Sequence, residues 1–204
     1  MTGSRISAGR RLLAAGALAA AVTLTLTPQA AHAANSSSVP APAAPDAASV
    51  GAAHDVSTAP GTLDTLSRFF TRDGALTAAG PSSTASGPSS TADVAPRIEG
   101  GVVPVYTLAP EFVAAESGRT EVPIARQEFL ASTAVAADGR RASVWTARTA
   151  SGWQVVNIAE GDDEARYTAA GASRLAGGVV FREPQINAWY VQGGDRVLPL
   201  NAEA

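Results

Sequence analysis

Residues 124–160 read IARQEFLASTAVAADGRRASVWTARTASGWQVVNIAE and decide the fold, because apolar segments alternate here with turn signals. The apolar segments are Ile124–Val135, Arg141–Thr149 and Trp153–Ala159. Asp138-Gly139, between the first two segments, is a strong signal for a hairpin turn, and Ser151-Gly152 marks the next turn. The stretch therefore predicts consecutive β-strands, although Gln127–Leu130 also fits a short helix.

Further strand patterns lie on both sides of this stretch. Val102–Leu108 contains Pro104, which favours an edge strand because proline cannot donate to a ladder. Ala165–Ala172 fits a short helix. The remaining strand patterns are Val179–Arg182, Ile186–Val191 and Arg196–Leu200. Turn signals recur about every ten residues, as in small β-domains. Residues 97–204 are therefore predicted to form one mainly β domain (an antiparallel sheet, sandwich or small barrel) with one or two short helices.

The first 33 residues carry the pattern of a secretory signal peptide. Arg5, Arg10 and Arg11 precede an apolar run that ends near Leu26, and Ala31-His32-Ala33 fits a signal-peptidase site. The apolar run is shorter than the roughly 20 residues that span a bilayer. We therefore expect a secreted, extracellular protein without a membrane anchor after cleavage, exported by either the general or the twin-arginine route.

Between the signal and the β domain, the composition is of low complexity with one interruption. Residues 34–61 are rich in Ala, Pro and Ser and predict a disordered spacer. Residues 74–96 repeat Gly-Pro-Ser-Ser and predict a flexible linker. Residues 62–73 predict a short amphipathic helix, started by a cap at Thr62 or Asp64 and stopped by Gly74. Its apolar face consists of Leu63, Leu66, Phe69 and Phe70. Such a short helix needs a surface to pack on, so it either docks on the β domain or binds a partner.

Charge and residue usage exclude several classes of function. Cleavage after Ala33 leaves 12 basic and 18 acidic residues, a net charge of −6, which disfavours nucleic-acid partners. The chain has no Cys and no Lys, and its only histidines are His32 and His54, both before the β domain. Ser-His-Asp, Cys-His, Schiff-base and zinc chemistry therefore lack their residues in that domain. Arg without Lys, together with abundant Ala, Gly and Pro, indicates a GC-rich genome such as that of an actinobacterium.

One acidic turn is the only candidate metal site. It contains Glu160, Asp162, Asp163 and Glu164. Several carboxylates in a tight turn are a possible calcium site, although the spacing differs from that of an EF-hand. The alternative is a solvated acidic turn between two elements. No other cofactor is predicted.

Adjacent aromatic residues provide the candidate ligand-facing side chains. Trp189 and Tyr190 are neighbours on a predicted strand, so they point to opposite faces of the sheet. We expect one of the two to be exposed and available to a ligand.

The function predicted from these features is that of a secreted, non-enzymatic binding or accessory protein. Its expected partner is an extracellular protein, a peptide or a cell-wall glycan. The alternative is a small carboxylate-dependent hydrolase, for example one that acts on glycans, which needs one protonated acid such as Glu183. Arg182 beside Glu183 favours the ionised form instead. Two carboxylates converging in a cleft would favour the hydrolase.

Overall fold

A computed structural model describes residues 39–78, 95–115 and 121–204. The predicted signal peptide and residues 79–94 of the predicted linker lie outside the described residues. The strands are β1 Arg97–Leu108, β2 Ala125–Val135, β3 Arg141–Thr149, β4 Gly152–Glu160, β5 Val179–Glu183, β6 Ala188–Gly193 and β7 Arg196–Pro199. The helices are α1 Ala47–Thr58, α2 Pro60–Ala78, α3 Pro110–Ala114 and α4 Asp163–Arg174. The mainly β prediction is confirmed.

All seven strands form one mixed sheet in the order β4-β3-β2-β1-β5-β6-β7. Each neighbouring pair is antiparallel except β1 and β5, which run parallel. Both strong turn signals connect neighbouring antiparallel strands, and Gly139 and Gly152 supply the positive φ angles of 89° and 103° that these turns need. Helix α4 connects the first four strands to the last three, and such a helical crossover makes the parallel pair possible.

Helix α1 lies where the sequence predicts a disordered spacer. Asp46 caps the start of α1 by accepting a hydrogen bond from the Ser49 backbone N–H at 2.6 Å. The helix ends before Ala59, because the following Pro60 disfavours a helical conformation at Ala59. The two fully buried residues of α1 are Ala53 and Ser57, which are small enough for the helix to lie close against the sheet. Tertiary packing therefore orders a segment whose composition, taken alone, offers too little apolar area.

Helix α2 is longer at both ends than the helix predicted over residues 62–73. Pro60 occupies its first turn, where a proline costs nothing, and the helix continues past Gly74 to Ala78. Leu66 and Phe70 are fully buried against Ala134, Ala142 and Val144 of the sheet. The sheet surface under α1 and α2 is called the helical face below.

Helix α4 packs on the opposite surface of the sheet, called the α4 face. The helix approaches β5 and β6 so closely that a Cβ atom added to Gly171 would lie 2.2 Å from Val180 Cγ2. Tyr167 of α4 stacks on Trp189 of β6 with 4.7 Å between ring centroids. The sheet is therefore buried on both surfaces near its centre, and β2 is buried continuously from Phe129 to Val135.

Candidate functional site

The sheet opens at one corner because two strands lose their register there. The pairing of β1 with β2 shifts between Val105↔Phe129 and Tyr106↔Gln127, so Glu128 is an extra residue in β2. The pairing of β2 with β3 does not extend beyond Leu130↔Thr146. The backbones of residues 127–129 and 147–148 are therefore not paired, although Ala147 packs against the cluster that contains Phe129. Bulges of this kind often occur next to binding sites.

The N-terminus of α1 lies at this corner and borders an open cleft of about 350 Å³, which we call the α1 pocket. Seven of its described lining residues are polar or aromatic: Asp46, Ser49, Gln127, Glu128, Phe129, Arg148 and Trp153. The other three are Ala44, Pro45 and Ala147. Its volume lies within the range of about 300–1,000 Å³ that is usual for small-molecule sites. The α1 pocket is our candidate functional site.

Asp46 contributes an ionised carboxylate to the pocket. The backbone and side-chain hydrogen bonds from Ser49 lower the pKa of Asp46 below its ordinary value of 3.8, and the charge of Arg148 lowers it further. At neutral pH this carboxylate accepts hydrogen bonds and has no proton to donate.

Glu128 also lines the pocket, but its carboxylate is engaged by two residues outside the lining. It accepts a hydrogen bond from the Thr107 hydroxyl, and one of its oxygens lies 3.6 Å from Arg182 Nη2. The Arg182 guanidinium lies over the rings of Phe129 and Trp145, 5.1 Å and 4.9 Å from their centroids. The aromatic rings orient Arg182, and Arg182 attracts the half-exposed Glu128 carboxylate as an ion pair.

The sequence-predicted ligand residues Trp189 and Tyr190 lie elsewhere, on opposite faces of the sheet. Trp189 is 4% exposed beneath Tyr167 and belongs to the core. Tyr190 is half-buried on the helical face and stacks on Phe181, with 5.2 Å between ring centroids. Desolvation raises the pKa of Tyr190, with further contributions from the charge and hydrogen bond of Glu183.

The acidic turn of residues 160–164 is divided among separate partners. Asp162 lies 3.3 Å from Arg141, and Asp163 pairs with Arg166. Glu164 is buried within α4, and Glu160 ends β4. Within residues 39–78, 95–115 and 121–204, no group of three or more His, Cys, Asp or Glu side chains could hold a metal ion.

The apolar residues predicted to face a partner are used inside the molecule. Leu66 and Phe70 are buried, and Leu63 and Phe69 are partly buried against the same cluster. The guanidinium of Arg140 also donates a hydrogen bond to the Phe70 carbonyl oxygen. Of the two alternatives that the sequence leaves open, the structure therefore has the helix docked on the β domain.

Glu183 lines a second cavity of about 410 Å³, which is separate from the α1 pocket. Its other lining residues are Leu108, Pro110, Val113, Ala114 and Gln185. Among the residues that the structure describes, Glu183 is the only carboxylate that lines this cavity.

Sequence reasoning missed the residues of the α1 pocket. Asp46 and Ser49 lie in a segment whose composition predicts disorder, and Gln127, Arg148 and Trp153 lie on three strands without any local motif. The one available signal was the Asp46-x-x-Ser49 spacing before an Ala-rich stretch, which is typical of a helix N-cap.

Comparison of the chain with protein-family models, with curated proteins and with solved structures found no match. In the part of the chain that the structure describes, no helix is both long and apolar enough to cross a membrane.

Proposed function

We propose that this chain is a secreted, non-enzymatic binding protein whose α1 pocket takes a sugar unit of an extracellular glycan. The observation that carries the proposal is that one pocket is lined by Trp153, Asp46, Gln127 and Arg148, which carry an indole, a carboxylate, an amide and a guanidinium. A sugar ring has an apolar C–H face, which stacks on an aromatic ring, and hydroxyl groups that both donate and accept hydrogen bonds.

Each polar group of the pocket has a matching role. Asp46 accepts hydrogen bonds from hydroxyl groups, Arg148 donates to them, and Gln127 can do both. Trp153 is half-buried, so one part of the indole is held by the protein and another part is open to a ligand. The negative charge expected for the secreted chain favours a neutral glycan over an anionic one.

Binding without hydrolysis is favoured by the state of the two carboxylates. Glycoside hydrolysis needs one acid that is protonated and can donate to the leaving oxygen. Asp46 is ionised because it caps α1 and lies near Arg148, and Glu128 is paired with Arg182 and Thr107. Asp46 therefore lacks the apolar, unpaired environment that keeps a catalytic acid protonated, and the Glu128 carboxylate is already engaged by two other side chains.

The test is a co-sedimentation assay of residues 34–204 with insoluble cell-wall glycan, chitin and cellulose. Trp153→Ala and, separately, Arg148→Ala are expected to reduce the bound fraction at least tenfold. Gln154→Ala is the matched control, since Gln154 neighbours Trp153, is exposed and does not line the pocket. Arg148 is exposed, so its variant tests the site even if the Trp153 variant is destabilised.

The same samples are assayed for released reducing ends. We expect none above background, and sustained release that Glu128→Gln abolishes would favour the hydrolase instead. If Trp153→Ala and Arg148→Ala bind the glycan as well as Gln154→Ala and the unaltered protein do, the α1 pocket is rejected as the glycan site.

A further inference from the structure

Residues 39–45, Val-Pro-Ala-Pro-Ala-Ala-Pro, form neither a helix nor a strand and lie on the helical face, and we call them the proline strap. Its backbone is held by side chains of the sheet. Gln192 Nε2 donates to the Val39 carbonyl at 3.0 Å, and the Tyr106 hydroxyl donates to the Ala43 carbonyl at 3.2 Å. These two bonds leave the strap attached to the sheet through side-chain donors.

The strap buries its prolines and its valine rather than its alanines. Pro42 is buried, and Val39, Pro40 and Pro45 are half-buried, whereas Ala41, Ala43 and Ala44 are exposed. Proline restricts its φ angle to the range of a polyproline II helix, so a segment rich in proline is pre-organised for that conformation. The strap therefore presents its prolines to the sheet.

The surface under the strap has the composition of a polyproline-binding groove. Val39 packs against a cluster that includes Tyr106, Phe181 and Tyr190. Aromatic grooves of this kind bind proline-rich segments in several recognition modules, because such segments lose little entropy on binding. We call the surface formed by Tyr106, Phe181, Tyr190 and Gln192 the aromatic groove.

We propose that the aromatic groove is a recognition site for a proline-rich extended segment of another polypeptide, and that the proline strap is its built-in occupant. The strap shares Ala44 and Pro45 with the α1 pocket, but none of the four residues of the aromatic groove lines that pocket. The partner segment has the chemistry of the strap, with prolines separated by small residues, and it binds after displacing the strap.

Two observations indicate that the strap can be displaced. Among the described residues, no backbone–backbone hydrogen bond joins the strap to the sheet, so releasing the strap breaks no ladder. In addition, Gln192 is 3% exposed and its Oε1 has no hydrogen-bond partner in the described part of the chain. A partner that supplies an N–H group there makes a hydrogen bond that the strap does not make.

The covalent connection of the strap explains why it fills the groove in the free protein. A tethered segment has an effective concentration in the millimolar range, so a weak free peptide competes poorly with it. A variant of the chain without a functional strap is therefore expected to bind such a peptide more tightly than the intact chain does.

The experiment compares residues 34–204 with a strap variant in which residues 39–45 are replaced by an equal number of alternating Gly and Ser residues. A fluorescent peptide with the sequence VPAPAAPD is titrated against both, and its anisotropy is measured. We expect the strap variant to bind it at least tenfold more tightly, and a Gly-Ser peptide of equal length not to bind. Adding Tyr106→Phe to the strap variant, which removes only the hydroxyl, is expected to weaken binding severalfold.

Several results would overturn the proposal. Equal affinity of the peptide for both proteins would mean that the strap does not occupy a binding groove, and equal binding of the Gly-Ser peptide would remove the preference for proline. If the strap variant does not fold, the single substitution Pro42→Ser in the intact chain is used in its place. The proposal then fails if Pro42→Ser does not bind the peptide more tightly than the unaltered protein does. Dimers of the intact chain that vanish in the altered chain would assign the groove to a second copy instead. Glycan co-sedimentation of the Tyr106→Phe variant measures binding at the α1 pocket separately from peptide binding in the aromatic groove.

Discussion

Replacement of Leu66 by Ala measures how strongly α2 is held on the sheet. Leu66 is 0% exposed, and the substitution removes three buried carbon atoms. At about 0.8 kcal/mol for each buried methylene, the transfer cost is roughly 2–2.5 kcal/mol. Three of its neighbours in the cluster are Ala134, Ala136 and Ala142, whose methyl groups are too short to fill the space. The remaining cavity raises the expected loss in free energy of unfolding to about 3–4 kcal/mol.

Leu63 provides a matched control on the same helix. It is only partly buried against the same cluster, so Leu63→Ala is expected to cost less than half as much as Leu66→Ala. Urea denaturation of both variants, followed by Trp fluorescence and by circular dichroism, gives the two free energies. Equal costs, or a cost for Leu66→Ala below about 1 kcal/mol, would show that α2 is not packed on the sheet in solution. The partner-binding alternative for this helix would then return.

Two further substitutions test other parts of the structure. Gly171→Ala is expected to lower the free energy of unfolding by about 1–3 kcal/mol relative to Gly51→Ala, because the added Cβ overlaps Val180. Gly51 is the control, since it is a helix position with open space around it. Thermal or urea denaturation of the two variants gives the difference, and equal stabilities would contradict the close approach of α4. The pKa of Asp46 is lowered in the folded protein, so its stabilising effect is present above the ordinary pKa of 3.8 and is lost as the pH falls through the lowered folded-state value. The stability difference between the unaltered protein and Asp46→Asn should therefore shrink between pH 6 and pH 2, and a difference that is constant with pH would argue against the N-cap geometry.

The sequence by itself determined the strands that depend on local patterns. Alternating apolar residues and the turns at Asp138-Gly139 and Ser151-Gly152 lead to β2, β3 and β4, because neighbouring strands joined by a tight turn can pair only in the antiparallel sense. The helical spacing of Leu66 and Phe70 likewise predicted the central part of α2. For these strands and this helix, the residues that specify the element lie within the element itself or in the turn next to it.

The tertiary structure decided what depends on residues far apart in sequence. The parallel pairing of Tyr106 with Phe181 joins β1 to β5 across the α4 crossover, and no local signal specifies that register. Helix α1 and the proline strap are ordered because the sheet offers them a surface, although their composition alone predicts disorder. The α1 pocket forms for the same reason: Asp46 and Trp153 are distant in sequence, and packing of α1 over the opening in the sheet brings them together.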